Sequence, residues 1–149
     1  MSQKQNDLIS LNQYSKEMDD LYHNYASRHG LSDAALWSLY HIWECSNDDH
    51  FCTQKEICES WSYSPQTTNS ALKVLEERGL VKLEPVPENR KSKQIRLTSK
   101  GHALAEQVIV SLANAELEAF SALNLQEQHE YVRLSQKFVT ALKDKIAQI

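Results

Sequence analysis

The sequence predicts a mostly α-helical chain of six helices with one small β-hairpin, and two observations carry that reading. Of 149 residues only 3 are Gly and 3 are Pro, while long stretches are rich in Leu, Ala, Glu, Lys and Gln, all good helix formers. Between residues 80 and 98, by contrast, two short alternating runs, Leu80-Val81-Lys82-Leu83-Glu84 and Gln94-Ile95-Arg96-Leu97-Thr98, flank a polar and basic turn from Pro85 to Lys93. The length suits one ordinary folding unit with a real core.

Each element has a local signal. Leu8, Leu11, Met18, Leu21, Tyr22 and Tyr25 follow helical spacing, so a first helix is expected from about Leu8 to Arg28, ending before His29-Gly30. Ser32 offers an N-cap oxygen to a second helix carrying Leu36, Leu39, Ile42 and Trp43, which the polar turn Ser46-Asn47-Asp48-Asp49 stops. Thr53-Gln54-Lys55-Glu56 has the spacing of a capping box, in which each side chain satisfies the other residue's orphan N–H, and opens a short third helix to about Trp61. Ser64-Pro65 is an N-cap followed by proline at the first helical position, and Gly79 suits the left-handed residue that ends the fourth helix. Two short helices joined by a tight turn are the outline of a helix-turn-helix. After the hairpin, Leu104, Val108, Leu112 and Ala115 mark a fifth helix. Asn124-Leu125-Gln126-Glu127 is another capping-box pattern, ahead of a sixth helix with Tyr131, Leu134, Phe138, Leu142 and Ile146. The first and last helices carry more apolar surface than a small module can cover, so a homodimer joined by its N- and C-terminal helices is expected.

Charge is unevenly placed. The net charge is −4, yet residues 61–102 hold eight basic side chains (Lys73, Arg78, Lys82, Arg90, Lys91, Lys93, Arg96, Lys100) against four acidic ones, so this segment is +4 and the rest −8. A local anion-binding surface on an otherwise acidic chain follows. No apolar run approaches the roughly 18 residues of a membrane span, and the N-terminus lacks a signal-peptide core, so a cytoplasmic protein without a membrane partner is expected. Cys45, Cys52 and Cys58 are odd in number and match neither a disulfide framework nor paired CxxC zinc spacing.

Two stretches now carry a resemblance. Asn89-Arg90-Lys91-Ser92-Lys93-Gln94-Ile95-Arg96-Leu97-Thr98-Ser99-Lys100-Gly101 is similar to the wing signature of the multiple-antibiotic-resistance regulator (MarR) family, Asp-Arg-Arg, an alternating strand, then Leu-Thr-x-x-Gly. Residues from Thr67 to Val81 resemble that family's recognition helix and its exit through Leu-Glu-x-x-Gly-Leu-Val. Asn89 stands where the family usually has Asp, and Ser70 where a basic residue is common. The resemblance covers nearly the whole chain. It implies a winged helix-turn-helix lobe over residues 32–101 and dimerisation helices at 1–31 and 102–149. It also implies a sequence-specific regulator of transcription, a ligand-responsive repressor acting as a homodimer on a pseudopalindromic site in double-stranded DNA.

On that reading Ser64, Gln66, Thr67, Thr68, Asn69, Ser70 and Lys73 meet DNA from the fourth helix. Arg90 keeps the position of the family's minor-groove arginine, which a narrow groove's negative potential attracts. Lys91 and Lys93, with flexible point charges, suit phosphates. Ile57, Cys58 and Trp61 are expected to pack under the recognition helix. Tyr22, Tyr25, Trp37, Tyr40 and His41 fall where the family binds effectors, and aromatic faces with polar tips suit a small aromatic ligand. Aromatic residues at such spacing also serve as ordinary core.

Two alternatives use other residues. His41, Glu44 and Cys45 share a helix face, with His50 and Cys52 close in sequence, so metal sensing through His41, Glu44 and Cys45, or redox sensing through Cys45 and Cys52, is a second reading. A small metal-dependent hydrolase built on His41, Glu44 and Cys45 is a remote one, since no glycine-rich phosphate loop, GxSxG turn or HExxH motif is present. The expectation is therefore a DNA-binding protein and not an enzyme, with no cofactor and no metal.

Overall fold

The computed structural model describes residues 1–48 and 50–149, with Arg90 described by its backbone alone, so the expected turn residue Asp49 and the Arg90 side chain lie outside the described residues. Helix α1 spans Gln3–Arg28, α2 Asp33–Asn47, α3 Gln54–Trp61 and α4 Pro65–Glu77. A two-residue strand β1, Cys52–Thr53, precedes α3, and β2 (Val81–Val86) and β3 (Asn89–Leu97) form the hairpin. Helix α5, Ser99–Ala105, continues through a π-helical turn, Glu106–Val110, into α6, Ser111–Phe120, and α7 is Leu125–Ile146. Counting α5 to α6 as one helical stretch, the six expected helices are present. Among the described residues no single helix is long and apolar enough to cross a membrane.

Local hydrogen-bonding chemistry sets most boundaries. Ser32 Oγ accepts from the Ala35 N–H at 3.1 Å, Ser64 Oγ from the Thr67 N–H at 3.1 Å, and Asn124 and Glu127 form a complete capping box. Helix α1 starts five residues before the expected Leu8 because Ser2 and Gln5 form another complete capping box, which needs no apolar residue. Helix α2 runs to Asn47, past the Ser46 where a turn was expected.

One capping box is only half made. Thr53 Oγ1 accepts from the Glu56 N–H at 3.3 Å, but the Glu56 carboxylate turns away from the cap and meets His50 Nε2 at 3.2 Å.

The chain divides into two compact units, residues 1–109 and 110–149. In the first, α2 is the central rod, packed against α4, α3 and β3. Leu36, Leu39 and Ile42 of α2, Ile57 of α3, Leu72 and Leu75 of α4 and Leu80, Val81 and Ile95 of the hairpin region are all buried. Ile57 takes its expected place in this core, whereas Trp61 stacks on Trp37 of α2, ring centroids 4.7 Å apart. Tyr25 donates from Oη to the Val108 carbonyl at 2.6 Å, in the π turn. The second unit is α6, a short turn and α7, and α7 holds no buried residue.

The hairpin differs from expectation. The sheet order is β1-β3-β2, antiparallel throughout, with Val81 opposite Leu97 and Leu83 opposite Ile95. Pairing continues through Pro85 to Val86 and Asn89, so only Pro87 and Glu88 turn, instead of a loop from Pro85 to Lys93. Pro85 is tolerated because β2 is an edge strand, where a missing N–H costs little. The irregularity lies on β3. Pro85 pairs with Lys93 and Val86 with Asn89, so the register slips across Arg90, Lys91 and Ser92 as a bulge in the β3 backbone.

Candidate nucleic-acid interface

Helix α4 separates its residues by face. Ala71, Leu72 and Leu75 are buried, while Gln66, Asn69, Ser70 and Lys73, at i, i+3, i+4 and i+7, are exposed along one stripe beside exposed Ser64 and Thr67. The helix entry is rigid. Ser64 Oγ accepts from the Thr67 N–H and donates to Thr67 Oγ1 at 2.9 Å, and Gln54 Nε2 donates to the Pro65 carbonyl at 3.2 Å, tying the start of α3 to the start of α4. Ser70 Oγ donates to the Gln66 carbonyl at 3.0 Å.

Thr68 does not belong to this stripe. It is fully buried, and its Oγ1 accepts from Cys58 Sγ at 3.3 Å, so it packs α4 on α3 and presents nothing to a base edge. The positions 68, 71, 72 and 75 form one inward row, a spacing that its polar side chain disguised. Cys58 is thus a packing residue under α4, as expected.

The basic segment divides into structural and available charge. Arg78 Nη1 donates to the Gly30 carbonyl at 3.1 Å, and Lys100 Nζ donates to the Arg78 carbonyl at 2.9 Å, so both hold the lobe together. Arg96 lies 4.7 Å over the Phe51 ring and 3.8 Å from Glu84 across the hairpin. Lys73, Lys82, Lys91 and Lys93 remain as exposed cations on α4 and the hairpin. The bulge is braced from within, with Asn89 Oδ1 accepting from the Lys91 N–H at 3.2 Å and Asn89 Nδ2 donating to Ser92 Oγ at 3.4 Å. A neutral Asn therefore supplies the bulge's acceptor.

Of the expected effector residues, Tyr22 and Trp37 come together, ring centroids 4.8 Å apart, and line a groove of about 460 Å3. Its other walls, which the sequence reading missed, are Lys16, Asp19, Asp20, His23, Asp33 and Tyr63. His23 Nδ1 meets Asp33 at 2.9 Å. Burial pushes the Tyr63 phenol pKa up, and the carboxylates of Asp33 and Asp19 raise it further, which registers the negative field in the groove. Helical spacing could have joined Asp19 and His23 to Tyr22, but Tyr63 sits in the turn between α3 and α4 and gives no periodic signal. Tyr25, Tyr40 and His41 are not among the groove's lining residues. Tyr25 is held by Val108, Tyr40 packs behind the groove on Trp37, with ring centroids 5.7 Å apart, and on Trp43 and Trp61 at 6.2 Å, and His41 faces Glu56.

Cys45 and Cys52 are both buried, and burial pushes both thiol pKa values up, that of Cys52 strongly. Neither is then a thiolate nucleophile without a neighbouring cation, which disfavours the redox-sensing reading.

A lobe with a polar-faced helix as the second member of a helix-turn-helix, next to a hairpin carrying exposed lysines, agrees with the sequence comparison. Residues 29–92 match the model of the MarR family. Over those residues the winged lobe is similar to the MarR family. MarR regulators are DNA-binding transcription factors and not enzymes. The fold resembles NMB1585, a MarR family regulator from Neisseria meningitidis, with a TM-score of 0.77 at 19% identity over 95% of this chain and 97% of that one. It also resembles MepR of S. aureus, solved as a DNA complex, with a TM-score of 0.71 at 19% identity over 90% and 96% of the two chains. A third similar structure is BpsR of Bordetella bronchiseptica, whose DNA binding is regulated by 6-hydroxynicotinic acid, with a TM-score of 0.66 at 19% identity over 87% and 89%. At these identities the likeness is one of MarR fold. No curated protein matches the sequence.

Proposed function

We propose that the chain is a homodimeric repressor whose two α4 helices enter successive major grooves of a pseudopalindromic operator while the β2–β3 hairpins reach the flanking minor grooves. The observation that carries this reading is the exposed stripe Gln66, Asn69, Ser70 and Lys73 on α4, together with the bulge in the hairpin next to exposed Lys91 and Lys93. Gln and Asn amides can pair with adenine edges, and two-fold symmetry sets half-sites about 10 base pairs apart, centre to centre. The likeness of fold to a protein solved on DNA supports it.

The test is affinity across a salt series, on an operator selected from genomic DNA and on a scrambled duplex. Lys93→Ala is expected to weaken both duplexes alike and to lower the salt slope by about one unit, as losing one phosphate contact requires. Arg90→Ala, assigned from the resemblance, is expected to cost on the order of 1–3 kcal/mol on the operator and to relax the preference for A·T at the flanking position. If Arg90→Ala binds like wild type while Lys93→Ala loses sequence preference, the two roles are reversed.

Release from DNA is assigned to the groove of Tyr22, Trp37 and Tyr63. Its aromatic faces suit a flat ring, and Asp19, Asp20 and Asp33 favour a ring that carries positive charge. Such a ligand dissociates the operator complex only by binding the DNA-free conformation more tightly. Screening the complex against aromatic cations and aromatic carboxylates is expected to find release among the cations, and Trp37→Ala is expected to abolish it with operator affinity unchanged. Release by carboxylates alone, unaffected by Trp37→Ala, would place the effector elsewhere.

A further inference from the structure

We propose that His41, Cys45, Cys52 and Glu56 form a binding site for one zinc-class metal ion per chain. The four residues come from three elements. His41 and Cys45 are one turn apart on α2, Cys52 opens β1, and Glu56 lies in the first turn of α3. Their ligand atoms all lie within 4.8 Å of one another. Among the described residues no other group of His, Cys, Asp and Glu side chains gathers in this way. Bonds around a tetrahedral zinc set ligand–ligand separations of roughly 3.3–3.8 Å, so the group needs to contract by about 1 Å to close on an ion.

Three features point to a ligand rather than to ordinary packing. His41 Nε2 is buried, has no hydrogen-bond partner, and stands 3.9 Å from Glu56 Oε2, a distance too long for a hydrogen bond. A buried imidazole nitrogen left in that state is costly, and a metal bond satisfies it. The Glu56 carboxylate leaves its capping box incomplete, and His50 Nε2 meets both of its oxygens at 3.2 Å. Outer partners of this kind orient ligating carboxylates in metal sites. The loop from Cys45 to Cys52 is closed by the His50 N–H donating to the Cys45 carbonyl at 2.9 Å and by the pairing of Cys52 with Ile95, so the two sulfurs are brought together by backbone structure.

One nitrogen, two sulfurs and one carboxylate oxygen form a four-donor set of the kind zinc takes, and two thiolates exclude magnesium and calcium. The set differs from the sequence-based grouping. Glu44, one position before Cys45, is exposed and outside the cluster, and Glu56, twelve residues farther along, takes its place. A bound ion here would tie α3, the first helix of the helix-turn-helix, to the central helix α2.

The test uses the full chain, free of any tag, stripped with chelator and kept reduced. Titration with cobalt(II) is expected to saturate at one equivalent per chain with near-ultraviolet thiolate-to-cobalt charge transfer and strong tetrahedral visible bands, both bleached by zinc. Zinc at about 100 times its dissociation constant is expected to raise Tm by roughly 5–10 °C. The double variant Cys45→Ser, Cys52→Ser is expected to lose the charge-transfer bands, while Cys58→Ser keeps them. Because the serine pair is buried, His41→Gln and Glu56→Gln serve as milder variants, each expected to weaken binding at least about tenfold with circular dichroism unchanged. Absence of charge-transfer absorption in the wild type, or its persistence in the serine pair, overturns the proposal. Since no readout involves DNA, its failure is separate from any failure of the regulatory reading.

Discussion

Gly101→Ala is expected to lower stability by about 3 kcal/mol or more, above the usual 1–3 kcal/mol for overpacking, and to drop Tm by roughly 6–12 °C. A Cβ at this position would stand 1.9 Å from the Leu80 carbonyl oxygen and 2.9 Å from its carbon. Neither side can yield cheaply. The Leu80 carbonyl accepts from the Thr98 N–H at 3.0 Å, the Leu80 N–H donates to Leu75 at 2.9 Å, and the Leu80 side chain is buried. On the other side, Thr98 Oγ1 caps α5 by accepting from the Gly101 N–H at 3.0 Å and donates to the Gly79 carbonyl at 2.6 Å. The clash therefore falls where α4, the hairpin and α5 meet. Gly79→Ala is the control. Its φ of +72° strains a side chain, but a Cβ there meets nothing within 4 Å, so a cost of about 1–2 kcal/mol is expected. Thermal and urea melts of both variants decide it. Equal losses would mean that conformation rather than the close approach explains Gly101.

The double variant Leu134→Asp, Phe138→Asp is expected to convert a dimer to monomers in sedimentation and to weaken operator binding at least 100-fold, the order by which linking two half-sites raises affinity. Helix α7 presents Tyr131, Leu134, Phe138, Leu142 and Ile146 at helical spacing, each 43–57% exposed, and α1 presents Leu8, Leu11, Met18 and Leu21, 43–65% exposed. Apolar surface of this extent is rare on a monomer, and in the proposed homodimer it is the surface that a second copy would cover. Because both substituted side chains are already about half exposed in the single chain, the change does not open a core, and helix content is expected to hold. A wild type that sediments as a monomer, or a variant that remains a dimer, would refute the interface.

Legibility in the sequence followed the range of the interaction. Ser32, Ser64-Pro65, Gly79 and Asn124-x-x-Glu127 were readable because a cap joins residues a few positions apart, and nothing remote competed for those side chains. Thr53-x-x-Glu56 has the same pattern, yet it formed only half its box, since His50 meets the Glu56 carboxylate once the chain is folded. Pro85 looked like a strand end, and only the sheet order, which puts β2 at an edge, allowed it inside a strand.

The same division separates what the chain alone determined from what the folded unit decided. Helical periodicity, caps and the clustering of positive charge in residues 61–102 are properties of neighbouring residues, so they specified the helices, the hairpin and the stretch that carries the exposed lysines. Which side chains turn outward was settled by packing between remote segments. Thr68 went inward against Cys58, Arg78 and Lys100 were drawn to backbone carbonyls, and Tyr22 and Trp37 met Tyr63 across a groove, from three segments. Glu56 joined His41, Cys45 and Cys52 in the same way, because two helices and a strand converge there, and no spacing along the chain encodes a distance between side chains that only burial of the core brings together.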